Sequence, residues 1–330
     1  MEGTFVRHAN LTTMSRPADR LGSVPTTTGA RLSTACARAR GRVARRLAVL
    51  TFQCLDDPTV FRAQAERLLR TASPVSLHQV QNALSGGEPL PPHAVLVSFE
   101  LGRRSVVTTA LPVLAARAIP AVAFVVAGLV DTERPYWWQE AEFLSKNGGH
   151  ARGLSARTPG GTVGALSAMP DPDRRRALEE LRVTARRQAP GSPQLTRADL
   201  ALLRDGGVDI GNHSMGHARL DQCDDYVVRE EVAGGHDRLT VLTGEQPSAF
   251  AYPGGVPDAR ADAVLRGYGY RSAFLSDGNL FDLRSTVQAH PDPLRISRLN
   301  VDAATPRGLF DGVLAGWTPT VRRLRSAVAV

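Results

Sequence analysis

The chain has 330 residues, 42% of them apolar and 22% charged, which excludes a disordered chain, a coiled coil, a collagen-like fibre and a small disulfide scaffold. The net charge of +8 does not point to nucleic acid: residues 1–50 carry +7 and residues 306–330 carry +3, which leaves −2 on the body between them. Lys146 is the only lysine among 40 basic residues, a bias of genome composition rather than of phosphate binding.

Residues 1–46 are rich in Arg, Thr and Ala and lack a secretory apolar core, so they read as a disordered extension. Cys36, Cys54 and Cys223 are odd in number and have no CxxC spacing. That argues against a disulfide framework or a cysteine zinc site and favours a reducing, cytoplasmic setting.

From residue 47 short apolar runs alternate with amphipathic stretches. Leu47–Phe52 and Ala94–Phe99 read as buried strands, with a helix over Val60–Leu69 between them. A helix over Ser105–Ala116 follows, then a strand at Ala121–Val126. The apolar run Ala110–Val130 is long enough to cross a bilayer, but Pro112, Arg117 and Pro120 divide it, so no membrane span is expected. Gly153–Leu195 breaks the rhythm with Pro-Gly segments around a charged helix near Asp173–Arg187, and reads as an insertion on the rim. Val208–Gly211 is the next strand. Val228, Val232, Leu239 and Leu242 then recur at helical spacing, with Gly244 as the stop. Strands at Ser248–Tyr252 and Ser272–Leu275 flank a helix at Asp258–Arg266, and a last strand falls near Leu294–Val301. Residues 306–330 read as a basic tail. About seven strand–helix units imply parallel pairing and an α/β barrel.

Three constellations carry chemistry. His213 and His217, four residues apart just after a strand, suit one divalent cation, although two surface histidines would give the same pattern. Glu100 in Ser98-Phe99-Glu100-Leu101-Gly102 stands at another strand end, where an acid also serves as a helix cap. Ala249 to Gly255 is a strand running into a Pro-Gly-Gly turn, whose bare N–H suits an oxyanion. Trp137-Trp138 suits either a sugar face or a core anchor, and the core reading leads. Glu230-Glu231, Arg174 to Arg176 and His236 read as solvated surface.

In order and spacing, these pieces resemble the polysaccharide deacetylases of the NodB-homology type, carbohydrate esterase family 4. Ser98–Gly102 stands where that family has Thr-Phe-Asp-Asp-Gly, and His213 to His217 where it has His-Ser/Thr-x-x-His. Ala110-Leu111-Pro112-Val113-Leu114 with Ile119-Pro120-Ala121, Trp137-Trp138, Phe250 to Gly255, and Arg298-Leu299-Asn300-Val301 extend the likeness from about Leu47 to Val301. The resemblance implies an irregular (β/α)7 TIM-like barrel over 47–305. It implies a hydrolase that removes an N-acyl group, with a divalent metal, usually zinc, as Lewis acid. Carried over, His213 and His217 are metal ligands, Glu100 is the base, the Gly254 N–H binds the oxyanion, and Arg298 replaces the last-motif His.

The chain departs from the family pattern at the second Asp of the first motif. The ligand Asp is Leu101, which coordinates nothing. An aromatic-His pair on the first strand reads Phe52-Gln53. Either Glu100 swings in to complete a His213–His217–Glu100 site, with Asp277 as a substitute acid, or two ligands remain. Arg298 either pairs a substrate anion or bridges to Glu100. The expected function is therefore a divergent metal-dependent N-deacetylase-like hydrolase acting on a small-molecule or glycan substrate. The alternatives are a degenerate glycan- or partner-binding barrel, or one repurposed for another tailoring reaction.

Overall fold

The computed structural model describes residues 46–53, 55, 57–154, 158–283 and 291–315. The expected N-terminal extension, apart from Arg46, lies outside the described residues, as do Cys36, Cys54, His290 and the tail from residue 316.

The chain starts with β1 (Arg46–Phe52), whose side chains alternate between two apolar layers. Helix α1 (Pro58–Thr71) begins where Asp57 accepts from the Thr59 and Val60 amides, with Pro58 supplying a ready-made first-turn φ. After β2 (Ser73–Pro74), the Ser76–Gln79 capping box starts α2 (Leu77–Leu84), which the sequence reading did not foresee. Strand β3 (Ala94–Phe99) follows. A π turn over Val106–Ala110 then leads into α3 (Leu111–Ala115). Pro112 has no N–H to donate, and the widened turn before it accommodates the break.

Beyond β4 (Ala121–Val125) come α4 (Trp137–Lys146), α5 (Pro159–Ser167), α6 (Asp171–Thr184) and α7 (Arg197–Asp205). Strand β5 (Val208–Asn212) leads to α8 (Asp225–Arg229), a second π turn over Glu230–Gly234, and α9 (Gly235–Thr243). Gly244 stops α9 in the left-handed region, at φ 77°. The remaining elements are β6 (Ala249–Ala251), α10 (Ala259–Gly267), β7 (Ser272–Phe274), β8 (Phe281–Asp282), β9 (Leu299–Val301) and α11 (Arg307–Leu314).

Among the described residues the strands form one sheet in the order β7-β6-β5-β4-β3-β1, with β9 pairing β1 in parallel and β8 pairing it antiparallel. All the pairings from β1 through β3 to β7 are parallel. One short segment touches both edges of this curled row: Ile296 bridges Phe274 of β7, and Leu299 pairs with Leu50 of β1. The architecture is the expected α/β barrel of the (β/α)7 type. Among the described residues no helix is long and apolar enough to cross a membrane.

Val49, Leu96, Val122, Phe124, Phe274 and Ile296 fill the interior, and α2 closes its base with Val80 and Leu84. A larger layer lies between the sheet and α1, α7 and α11. Phe310, Val313 and Leu314 belong to that layer and Asp311 pairs with Arg67, so residues 306–315 add to the core where the sequence reads as a basic tail. The expected rim insertion holds α5 and α6, whose Val163, Leu166, Leu178 and Leu181 pack with Trp138 of α4.

Gly211 of β5 faces Phe124 across the β4–β5 pair, and a methyl added there would lie 2.5 Å from the ring. That ring is fully buried and has no free space to move into. Gly211→Ala is expected to lower unfolding stability by about 1–3 kcal/mol in urea denaturation, the usual cost of overpacking.

Candidate active site

Glu100 follows β3 directly, and its amide donates to Phe52 O at 3.1 Å, prolonging the β1–β3 ladder by one bond. The chain then turns through Leu101 and Gly102 at φ 73° and 70°. The Glu100 side chain is 6% exposed and bound at both oxygens. Arg298 Nη2 donates to Oε1 at 2.7 Å, and Gln53 Nε2 donates to Oε2 at 2.8 Å. Arg298 is fully buried; its Nε donates to Leu275 O at 2.7 Å and its guanidinium lies over the Phe124 ring. Of the two readings of Arg298, the structure shows the bridge to Glu100. Burial alone would raise the Glu100 carboxyl, but Arg298, then His213, Gln53 and His217, outweigh it and hold it down at about 2.

His213 follows β5. Its Nδ1–H donates to Ala251 O of β6 at 2.8 Å, which turns a bare Nε2 toward Glu100 Oε1, 3.5 Å away. That Nε2 has no hydrogen-bond partner. His217 stands with its ring 4.7 Å from that of His213 and 4.8 Å from Trp138. It is half-buried, more open than the other three charged or imidazole groups. Burial pushes His213 down to about 4, opposed by Glu100 and reinforced by Arg298. Burial and the neighbouring His213 push His217 well below its ordinary value. Both rings are therefore neutral at pH 7.

The loop bearing the histidines is strained: Ser214 and His217 have φ 66° and 59° without being glycine. Glu231, in the second π turn, holds it. Its Oε2 accepts from Ser214 Oγ and the Gly216 amide, both at 2.7 Å, and its carbonyl accepts from the Met215 amide. Glu231 is therefore buried, contrary to the solvated-face expectation. So are Arg174, which pairs with Asp171 and lies over the Trp137 ring, and His236, which contacts the Tyr270 hydroxyl. Trp138 stacks on Tyr136 and is 9% exposed, a core anchor whose ring also meets His217. Gly254 is exposed at φ 68°, a left-handed conformation that glycine adopts without strain.

The donor set does not fit a divalent cation held by three protein ligands. Among the described residues no three His, Cys, Asp or Glu side chains are placed to hold a metal ion. The expected His213–His217–Glu100 centre is not formed, because the carboxylate is already committed to a guanidinium. Leu101 is walled into the apolar layer with Val126 and Trp138. Asp277 does not step in either: its Oδ2 accepts from Ser297 Oγ and Asn279 Nδ2.

Comparison with known proteins agrees with this fold. Residues 179–273 match the family model described as polysaccharide deacetylase. The barrel fold is similar to that of solved polysaccharide deacetylases. Over 59 residues the chain is 44% identical to the poly-beta-1,6-N-acetyl-D-glucosamine N-deacetylase of Escherichia coli (strain K12), a stretch covering 18% of this chain and only 9% of that protein. A Streptococcus pyogenes deacetylase, PplD, solved with acetate, is similar at TM-score 0.56 and 14% identity, over 83% of this chain and 99% of that one. IcaB from Ammonifex degensii is similar at TM-score 0.54 and 21% identity, over 83% and 97%. At such identities the likeness to these polysaccharide deacetylase barrels speaks for the fold.

Two measurements check the site's electrostatics. The folded His213 titrates near 4 and its unfolded counterpart near 6.5, so the unfolded chain takes up the proton first. The stability is complete above about pH 6.5 and is lost as pH falls toward 4, by on the order of 3 kcal/mol. Urea denaturation between pH 7.5 and 4.5 is expected to show this slope, reduced in His213→Gln. Glu231→Ala strands Ser214 Oγ and the Gly216 amide, and is expected to cost about 1–3 kcal/mol in the same assay.

Proposed function

We propose that the chain hydrolyses the carbon–nitrogen amide bond of an N-acylated amino sugar, carried on a glycan or on a glycosylated small molecule. The reading rests on the family fold and on one observation: two neutral imidazoles, an ionised carboxylate and an aromatic ring meet where β3 and β5 end. On a parallel barrel that end is where chemistry gathers.

Glu100, expected as the base, has both oxygens engaged and is buried. His217 takes that role in this proposal, being less buried than Glu100 and His213 and neutral at pH 7. The oxygen of a water bonds to the acyl carbon and its proton passes to His217. The carbon–nitrogen bond then breaks, and the amine leaves with that proton. The products are a carboxylic acid and a free amino sugar. The Gly254 N–H, three residues beyond the carbonyl that orients His213, is assigned to the oxyanion. The Glu100–Arg298 pair orders the field around His213. The metal that the resemblance implies would supply a Lewis acid in relatives that hold one. The residues of this chain do not fit it, and no step here passes through it.

Leu101 favours a second reading, a barrel that binds such a glycan without turning it over. Both are tested by incubating the full chain with β-1,6- and β-1,4-linked N-acetylglucosamine oligomers and with simple N-acetyl glucosaminides, measuring free amine and released acetate. Hydrolysis is expected, with His217→Ala slower by about 10²-fold or more. Saturable binding with no product from any of them establishes the second reading.

A further inference from the structure

We propose that the site's own cation is Arg298, and that this barrel assembles and holds its two histidines without a divalent metal ion. The inference goes beyond the reaction assigned above and does not depend on whether a substrate is turned over.

The charge balance comes first. The centre contains one carboxylate, Glu100, and one guanidinium, Arg298, bonded to each other at 2.7 Å and both buried. The carboxylate and the guanidinium cancel, so the pair carries no net negative charge. A divalent ion entering beside it would bring a large uncompensated charge into a buried space and face the guanidinium at short range.

Geometry agrees. Glu100 has no uncommitted oxygen, because Gln53 holds the second one at 2.8 Å. Arg298 is fixed rather than movable: its Nε is tied to Leu275 O, and its plane lies against Phe124. It sits between Ile296, which bridges β7, and Leu299, which pairs with β1, so it belongs to the segment joining the two sheet edges. The third ligand position has been converted to packing. Leu101 is 8% exposed among Val126, Trp138 and Ala141, and its carbonyl accepts from the Tyr136 hydroxyl at 2.7 Å. The orphaned His213 Nε2 faces Glu100 Oε1 from 3.5 Å, a gap that a proton or a small donor on a substrate suits.

The test uses the full chain, purified without a histidine tag and dialysed against metal-free buffer. Elemental analysis by plasma mass spectrometry is expected to find no stoichiometric zinc, nickel, cobalt, manganese or iron. The melting temperature is expected to be the same with EDTA as with a fivefold excess of zinc chloride. One metal ion per chain, lost in His213→Ala or His217→Ala, overturns the proposal, as does a melting temperature that zinc raises. Arg298→Gln supplies the second arm: in EDTA it is expected to melt well below the parent chain, and an unchanged melting temperature overturns the role given to Arg298. Failure to release amine from any acetylated sugar bears on the hydrolase reading and leaves this one standing.

Discussion

The contact on which the most depends is the ion pair between Glu100 and Arg298. Its partners are 198 residues apart in the chain, one at the end of β3 and the other just before β9. Both ions have given up water, and their attraction, with the bonds of Glu100 to Gln53 and of Arg298 to Leu275 O, offsets part of that cost, while Arg298 Nη1 is buried without a partner. Such a pair adds little net stability compared with an apolar replacement, but losing one partner strands the other and costs about 3–5 kcal/mol. The pair therefore acts as a specification: the segment Ile296–Val301 reaches both sheet edges in the one register that places Arg298 under Glu100.

The histidine loop answers to a different constraint. Two residues with positive φ and a side chain are unfavourable, each costing on the order of 1 kcal/mol or more. They persist because the Glu231 carboxylate gathers the Ser214 hydroxyl and the Gly216 amide, and because Ser214 Oγ in turn accepts from the His217 amide at 2.9 Å. Glu231 itself is delivered by a π turn. Strain in the loop and irregularity in the helix are two ends of one device that sets where His217 stands.

Much of this was legible from residue order. The strands at Leu47, Ala94 and Ala121 form almost as the apolar runs predict, since a strand buried on both faces needs little beyond continuous apolar character. Glu100, His213 and His217 do come together, as strand-end placement implies. The parallel register, with Phe52 opposite Phe99, also makes Gln53 a neighbour of Glu100, a pairing derivable from strand alignment alone. What stayed hidden depends on tertiary partners. Glu231 looks solvated beside Glu230 because nothing local shows that a loop donor set awaits it. Arg174 looks solvated within Arg174-Arg175-Arg176 because its ring partner, Trp137, lies in another helix. Helix α11 reads as a tail, since its apolar positions span only two turns. The metal centre follows from the resemblance and the His213–His217 spacing, and the sequence leaves open whether Arg298 bridges to Glu100, which the structure shows.

Leu101 connects the altered site to the rim insertion. Its side chain belongs to one apolar cluster with Trp138, Val163, Leu166, Leu178 and Leu181, so the wall beside Glu100 and the footing of α5 and α6 are the same surface. A carboxylate at 101 would have to be buried against those side chains, at a cost that only a bound cation or a hydrogen-bond donor offsets. Leu instead gains the burial of a whole apolar side chain, about 1.5–3 kcal/mol. With that wall apolar, a single acid remains at the mouth, and a single guanidinium suffices to balance it. The packing of the insertion and the charge state of the centre are then one adjustment, made at Leu101.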